Sequence, residues 1–206
     1  MKVLLINGSP RKVGNTYTAL TEMIKVFNSQ GIETQLVDVG SEVVRGCIQC
    51  NACKQIGRCI VNDKVNEVAN LLKDADGLVI GTPVYYGSAN ATTVALLDRL
   101  FYSSRCDLTM KVGAGVAVGR RGGLSSTYDE INKYFAFAGM PIASGQYWSG
   151  VHGRDLGEAK EDAEGLQQMR TLANNMAFLI KAIKLGKDAY GLPIKEEPIR
   201  TSFIRK

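Results

Sequence analysis

The chain has 206 residues, 45% of them hydrophobic and 22% charged, with a formal net charge of +5. That balance fits an ordinary globular protein of about one domain. No stretch approaches the ~18 uninterrupted apolar residues of a membrane span, and no small-residue cleavage site follows a long apolar run, so a cytoplasmic protein is expected. The basic residues are scattered, and no nucleic-acid-binding module accompanies them, which excludes a nucleic-acid footprint.

Lys2–Asn7 is almost wholly apolar and reads as a buried parallel strand. Gly8–Gly14 is a loop by its glycine and proline punctuation. A helix from about Asn15 carries Leu20, Met23, Ile24 and Phe27 at helical spacing and stops at Gly31. Thr34–Val39 reads as the second strand, and a helix near Val65–Lys73 follows a cysteine-rich loop. Gly77–Thr82 is the third strand, with a helix from about Asn90 to Ser103 behind it. Val112–Val118 is the fourth strand, followed by a glycine loop and a helix near Ser125–Ala138. Pro141–Tyr147 reads as the fifth strand, and a long helix is expected from about Ala159 to Leu185. Strands alternating with helices imply a doubly wound α/β fold, a five-stranded parallel sheet covered on both faces. Residues 1–185 form that domain, with a cysteine-rich insertion at 46–60. Residues 186–206 form an arm whose Tyr190, Leu192, Ile194, Ile199, Phe203 and Ile204 are expected to anchor on a neighbouring subunit.

Three loops lie at carboxyl ends of strands, where open parallel sheets bind ligands. Gly8-Ser-Pro-Arg-Lys-Val-Gly-Asn-Thr16 offers the hydroxyls of Ser9 and Thr16, the Asn15 amide, Arg11 and a helix N-terminus, a set suited to one phosphate. Its glycines do not match G-x-G-x-x-G, and it lacks the Gly-Lys-Ser/Thr of a P-loop. The alternative is a plain strand-to-helix turn. Thr82-Pro-Val-Tyr-Tyr-Gly-Ser88 sets two aromatics at a strand end, suited to a planar ring or to ordinary packing. Gly119-Arg-Arg-Gly-Gly123 lets a flat ligand approach the backbone, and Arg120 or Arg121 would hold an anion or remain solvated.

Four of the five cysteines, Cys47, Cys50, Cys53 and Cys59, fall within thirteen residues, while Cys106 stands alone. An odd count without a secretory signal points away from disulfides and toward metal or redox chemistry. The C-x₂-C-x₂-C run closed by Cys59 suits an iron–sulfur cluster better than zinc, which favours two separated knuckles. Free or redox-active thiols are the other reading. Lys54 and Arg58 would offset thiolate charge. Asp98 and Arg99 read as a surface or interface ion pair, and His152 as an exposed loop residue.

Taken together, Gly8-Ser-Pro-Arg-Lys with Gly14-Asn-Thr16, Pro83-Val-Tyr-Tyr-Gly-Ser88 and Leu97-Asp-Arg99 resemble the flavodoxin-like, FMN-binding NAD(P)H-dependent reductases. The cysteine run is similar to that of the iron–sulfur flavoprotein branch, and the likeness spans residues 1–185. Glu161-Asp-Ala-Glu-Gly165 echoes the way relatives open the last helix; Val94 departs from a frequent lysine. The resemblance implies strand order 2-1-3-4-5. It implies that Ser9, Arg11, Asn15 and Thr16 hold the FMN phosphate, and that Pro83, Val84, Tyr85, Tyr86 and Gly87 line the ring; Gly119 joins the expected cofactor-binding residues through the glycine loop described above. It further implies a homodimer or homotetramer. An FMN oxidoreductase is then expected, moving electrons between NAD(P)H or a ferredoxin-like donor, FMN and a 4Fe–4S cluster on Cys47, Cys50, Cys53 and Cys59. An NAD(P)H-dependent FMN or quinone reductase without a cluster and a non-enzymatic electron carrier are the alternatives. Hydride transfer to a flavin needs no acid–base side chain, so no catalytic residue is assigned.

Overall fold

The computed structural model describes residues 1–199 and 201. Five parallel strands, β1 (Lys2–Asn7), β2 (Glu33–Asp38), β3 (Gly77–Tyr85), β5 (Val112–Gly119) and β6 (Gly150–His152), form a sheet in the order β2-β1-β3-β5-β6. Counting the parallel strands alone, this is the expected 2-1-3-4-5 arrangement, flavodoxin-like in topology. A two-residue strand, β4 (Ser88–Ala89), folds back antiparallel on the end of β3.

The sheet sits between two helical layers because its strands are apolar on both faces. Along β1, Val3 and Leu5 pack with Leu20, Met23 and Phe27 of α1 (Asn15–Ser29) and with Met169, Leu172 and Met176 of α6 (Ala163–Tyr190). Leu4 and Ile6 point the other way. They join Val65, Val68 and Leu72 of α3 (Lys64–Lys73), Leu96 and Leu100 of α4 (Ala91–Ser103), and Phe135 of α5 (Leu124–Phe137). Each such side chain contributes about 1.5–3 kcal/mol on burial, so the two layers fix the sheet and with it the ends of the strands.

The fifth parallel strand is not at Pro141–Tyr147, as the sequence pattern had it, but at Gly150–His152. Pro141–Ala143 touches β5 only through the Gly113–Ile142 bridge, where the Gly113 amide donates to the Pro141 carbonyl at 2.8 Å and the Ala143 amide to the Gly113 carbonyl at 2.9 Å. The chain then leaves the ladder because a side chain takes over its backbone. The carbonyl oxygen of buried Gln168 accepts from the amides of Gln146 and Tyr147, both at 3.0 Å. The segment returns where the Ala117 amide donates to the Ser149 carbonyl.

The last helix also differs at both ends. Residues 158–160 form a 3-10 turn, and α6 starts at Ala163 because Asp162 caps it, accepting from the Gly165 amide at 2.8 Å. The helix runs on to Tyr190, past the expected end at Leu185. Beyond it, Ile194 and Ile199 are almost fully exposed, as is Tyr190 on the last turn. Phe203 and Ile204 lie outside the described residues. No helix among the described residues is long and apolar enough to cross a membrane.

Candidate functional site

The carboxyl ends of β1, β3, β5 and β6 emerge side by side, as the register shows: Asn7 lies opposite Gly81, Pro83 opposite Val118, and Gly119 opposite His152. All three loops singled out by sequence therefore share one edge of the sheet.

The first loop is organised around Asn7, a fully buried residue that the sequence reading passed over. Its amide donates to Asp38 Oδ1 at 2.8 Å and to the Lys12 carbonyl at 3.1 Å, while its Oδ1 accepts from the Ser9 amide at 3.1 Å. Ser9 Oγ in turn accepts from the Arg11 amide at 3.1 Å. No side chain caps α1 and no acidic residue lies in its first turn, so the amides of that turn face the loop without a side-chain acceptor. Buried Ser9 and Thr16 flank this helix end, and Arg11 is exposed beside it. Asn15 is largely spent on structure. Its Nδ2 donates to the Asp155 carbonyl at 2.9 Å, and its Oδ1 accepts from the amides of Gly157 and Ala159 at 3.1 and 3.2 Å. It thus staples the loop after β6 to the start of α1. Only Asn at the helix start hinted at this, since the partner is 140 residues away.

The second loop is a tight hairpin joining β3 to β4. Tyr85 pairs with Ser88, and the two residues between them, Tyr86 and Gly87, have φ of 51° and 77°. Two left-handed residues make the hairpin turn whose twist suits the strands, a conformation that glycine adopts freely and tyrosine does not. The turn is held by α5. Glu130 Oε2 accepts from Ser88 Oγ and the Ala89 amide, both at 2.7 Å, and Ser126 Oγ donates to the Gly87 carbonyl at 2.5 Å. Tyr85 is about half exposed and Tyr86 wholly so, while Pro83 and Val84 are half-buried below them. The third loop begins at buried Gly119, packed against Val84, and ends at Gly123 (φ 86°), whose backbone abuts Gly87. Arg120 and Arg121 are exposed. His152 is not a loop residue; it ends β6, with Nδ1 3.4 Å from Asp162 Oδ2.

The four clustered cysteines line one pocket beside the C-terminal half of α4, together with Arg99, Tyr102, Ile48 and Ile60. Cys53 is buried and opens a short helix, α2 (Cys53–Ile56), which the sequence reading did not anticipate; Cys59 is half-buried, and Cys47 and Cys50 are exposed. Among the described residues no three His, Cys, Asp or Glu side chains are gathered as ligands to a single metal ion. Gln49 and Asn51 adopt left-handed φ of 53° and 59°, which curls the chain between the cysteines. Tyr102 OH donates to Asn51 Oδ1 at 2.8 Å, and Arg105 Nη2 to the Cys53 carbonyl at 3.1 Å. Asn66 of α3 exchanges hydrogen bonds with the Cys59 backbone at 3.0 and 3.1 Å.

Arg99 is not on the surface and does not pair with Asp98. It is 2% exposed, donates from Nη1 and Nη2 to the two oxygens of Asp63 at 2.6 and 2.9 Å, and donates from Nε and Nη2 to Cys59 Sγ at 3.4 and 3.2 Å. Burial pulls its pKa down, but the hydrogen bonds to Asp63 and Cys59 outweigh that and raise it, so the guanidinium stays charged. Asp98 instead accepts from Tyr134 OH at 2.6 Å; burial first, and then this acceptor, push the phenol up. Adjacent residues lie about 100° apart on a helix, and only Arg99 falls on the face of α4 that carries buried Leu96, Leu100 and Ser103.

A sequence profile described as NADPH-dependent FMN reductase matches residues 1–154. An iron–sulfur flavoprotein of Methanocaldococcus jannaschii is 36% identical over 196 residues, covering 89% of this chain and all of its own. One from Methanosarcina thermophila is 31% identical, covering 91% of this chain and all of its own. An NADPH azoreductase of a Bacillus strain is 30% identical over 81% of this chain and 86% of its own. Among solved structures, RosB with a bound riboflavin-phosphate derivative superposes with a TM-score of 0.72 over 98% of this chain and 92% of that one. At 18% identity this speaks for the fold. An archaeal flavodoxin does so at 0.60 and 15% identity, over 88% of this chain and 99% of its own. The chain belongs to the NADPH-dependent FMN reductase family, in its iron–sulfur flavoprotein branch.

Proposed function

We propose that the chain is an FMN-dependent oxidoreductase that moves electrons between a soluble donor, FMN on the sheet edge and a 4Fe–4S cluster on the cysteine pocket. The observation that carries this reading is the pairing of the two sites on one fold: an uncapped helix end facing a preformed polar loop, and four cysteines lining one pocket beside a buried cation.

The residues at the sheet edge fit FMN. The free amides of α1 are donors aimed at an anion, and Ser9, Thr16, Arg11 and the remaining Asn15 N–H add donors for a phosphate. Pro83, Val84, Tyr85, Tyr86 and Gly87, with Gly119 behind Val84, give a partly apolar wall with an aromatic rim for the ring. The Asn7 and Asn15 networks hold these groups in place before any ligand arrives, which reduces the ordering cost of binding. When bound, FMN accepts a hydride or single electrons, and the protein's share is to place it and exclude competing reactions.

The cysteine pocket fits a cluster by its donor chemistry: four soft sulfur donors in a compact run, with Arg99 and Arg105 next to Cys59 and Cys53. Cys47, Cys50, Cys53 and Cys59 would be its ligands. The relatives named as iron–sulfur flavoproteins support this assignment. NADPH or NADH is the proposed donor, and mixing each anaerobically with the oxidised flavoprotein in a stopped-flow cell tests it. Bleaching of the flavin band by one of them is expected; no bleaching by either removes the nicotinamide role and leaves a protein donor.

A second reading is an FMN or quinone reductase with inert cysteines, favoured by the exposure of Cys47 and Cys50 and by the azoreductase relative. Iron content distinguishes the two. The exposed apolar residues Tyr190, Ile194 and Ile199 support assembly into a homo-oligomer through the C-terminal arm. Removing residues 191–206 is expected to lower the mass measured by light scattering; an unchanged mass contradicts that role.

A further inference from the structure

Arg99 stands apart from every other cation near the cysteines. It arises from α4, forty residues along the chain from Cys59, yet all three of its guanidinium nitrogens are engaged in that pocket. Besides Asp63 and Cys59 Sγ, it donates to the Arg45 carbonyl at 3.2 Å and to the Val61 carbonyl at 3.3 Å. Arg105 is close by but touches only the Cys53 carbonyl, not a sulfur. Cys59 is therefore the one cysteine whose sulfur is shown accepting two N–H groups, both from one buried cation. Its backbone is fixed from the other side by Asn66.

From this geometry we infer that Arg99 is a positioning residue that sets the reduction potential of the cluster through Cys59, with Asp63 as its counterweight. This rests on the cluster assignment proposed above. Reducing the cluster adds one electron, supplied by the donor, and makes the thiolate-ligated centre one unit more negative. N–H groups aimed at a ligating sulfur stabilise the more electron-rich state, which raises the potential. The bidentate Asp63 carboxylate holds the fork against Cys59 and cancels part of its positive charge. The two residues therefore act on the potential in opposite directions.

The test is a redox titration of the anaerobically reconstituted full-length protein, with dithionite as reductant, following the cluster by electron paramagnetic resonance. Arg99→Gln is expected to lower the potential, changing the ratio of reduced to oxidised cluster at fixed potential by about tenfold, which is about 59 mV for one electron. Arg99→Lys, which keeps a cation but loses the fork, falls between Arg99→Gln and the unaltered protein. Asp63→Asn retains the cap on α3 and is expected to shift the potential the other way. A merely structural role would lower the melting temperature of these variants and leave the potential unmoved. With iron present at full stoichiometry, unmoved potentials in Arg99→Gln and Arg99→Lys overturn the inference. If Arg99→Gln does not fold, an unmoved Asp63→Asn potential does so. Absence of iron in the unaltered protein overturns the cluster assignment itself, and the inference with it.

Discussion

The two candidate sites of this chain are built on different principles. The sheet edge is made of loops that begin where buried strands end, so its shape follows from β1, β3, β5 and β6 and from the glycine and hydroxyl residues just beyond them. The cysteine loop has little regular structure beyond the four residues of α2. It is held by side chains that reach in from elsewhere: Arg99, Tyr102 and Arg105 from α4 and just beyond it, and Asn66 from α3. The first kind of site tolerates change in its exposed side chains and fails when its backbone is pushed. The second should fail when one distant anchor is cut.

The largest effect expected at the sheet edge comes from Gly40, which is not among the residues proposed to touch the flavin. A Cβ there would lie 2.2–2.4 Å from the backbone of Gly8 and Ser9, so Gly40→Ala must displace the loop that carries Ser9. A stability loss of about 1–3 kcal/mol is expected together with loss of bound flavin, measured by thermal melting and by the flavin absorbance per protein. On the cysteine side, Cys50→Ser or Cys53→Ser should remove the iron and leave the flavin, read by iron assay and visible spectrum. Loss of both would mean that the two regions are not separable. Asn15→Ala leaves the amides of Gly157 and Ala159 without their acceptor and should cost about 1–3 kcal/mol in denaturant unfolding. Tyr86→Gly gives the left-handed turn position a residue that prefers it. Stability should then hold or rise slightly while flavin affinity falls, measured by fluorescence titration.

The smallest effect tests the arm. Hydrogen bonds from Lys195, and then from the amide and hydroxyl of Thr109, hold the Asp107 carboxyl down at about 2. A carboxylate lowered on folding contributes stability above its unfolded pKa and loses it as pH falls toward the folded value. The contribution is therefore present at neutral pH and fades from about pH 4 toward about 2. Because the pair is about half exposed, it should be worth less than ~1 kcal/mol. Truncation after Gly191 should move the Asp107 pKa back toward the usual carboxylate range, followed by NMR titration.

The contrast also explains what the sequence could reveal. The buried strands β1, β3 and β5 are largely continuous apolar runs, and the loops that form the sheet edge, residues 8–16 among them, follow them directly in the chain, so the fold and the sheet edge could be read locally. β6 escaped because Gln168, a polar residue on α6, replaces the ladder along 146–147, and no local pattern announces that exchange. Arg99 escaped for the same reason at longer range. Its partners Cys59 and Asp63 lie on a different element, and a charged residue on an amphipathic helix reads by default as solvated. Asn7 closed an otherwise apolar strand, a signal that was present in the sequence but is intelligible only once Asp38 is seen beside it.

The proposed electron path requires that one chain carry both a flavin site and a cluster site. Its most direct test is anaerobic purification, followed by iron and sulfide reconstitution and assay of flavin, iron and sulfide per chain alongside the visible spectrum. About one flavin and about four irons per chain are expected, with a broad shoulder near ~400 nm beneath the flavin bands. Bound flavin with no iron after reconstitution would contradict it and leave the cysteines as thiols on a simple FMN reductase.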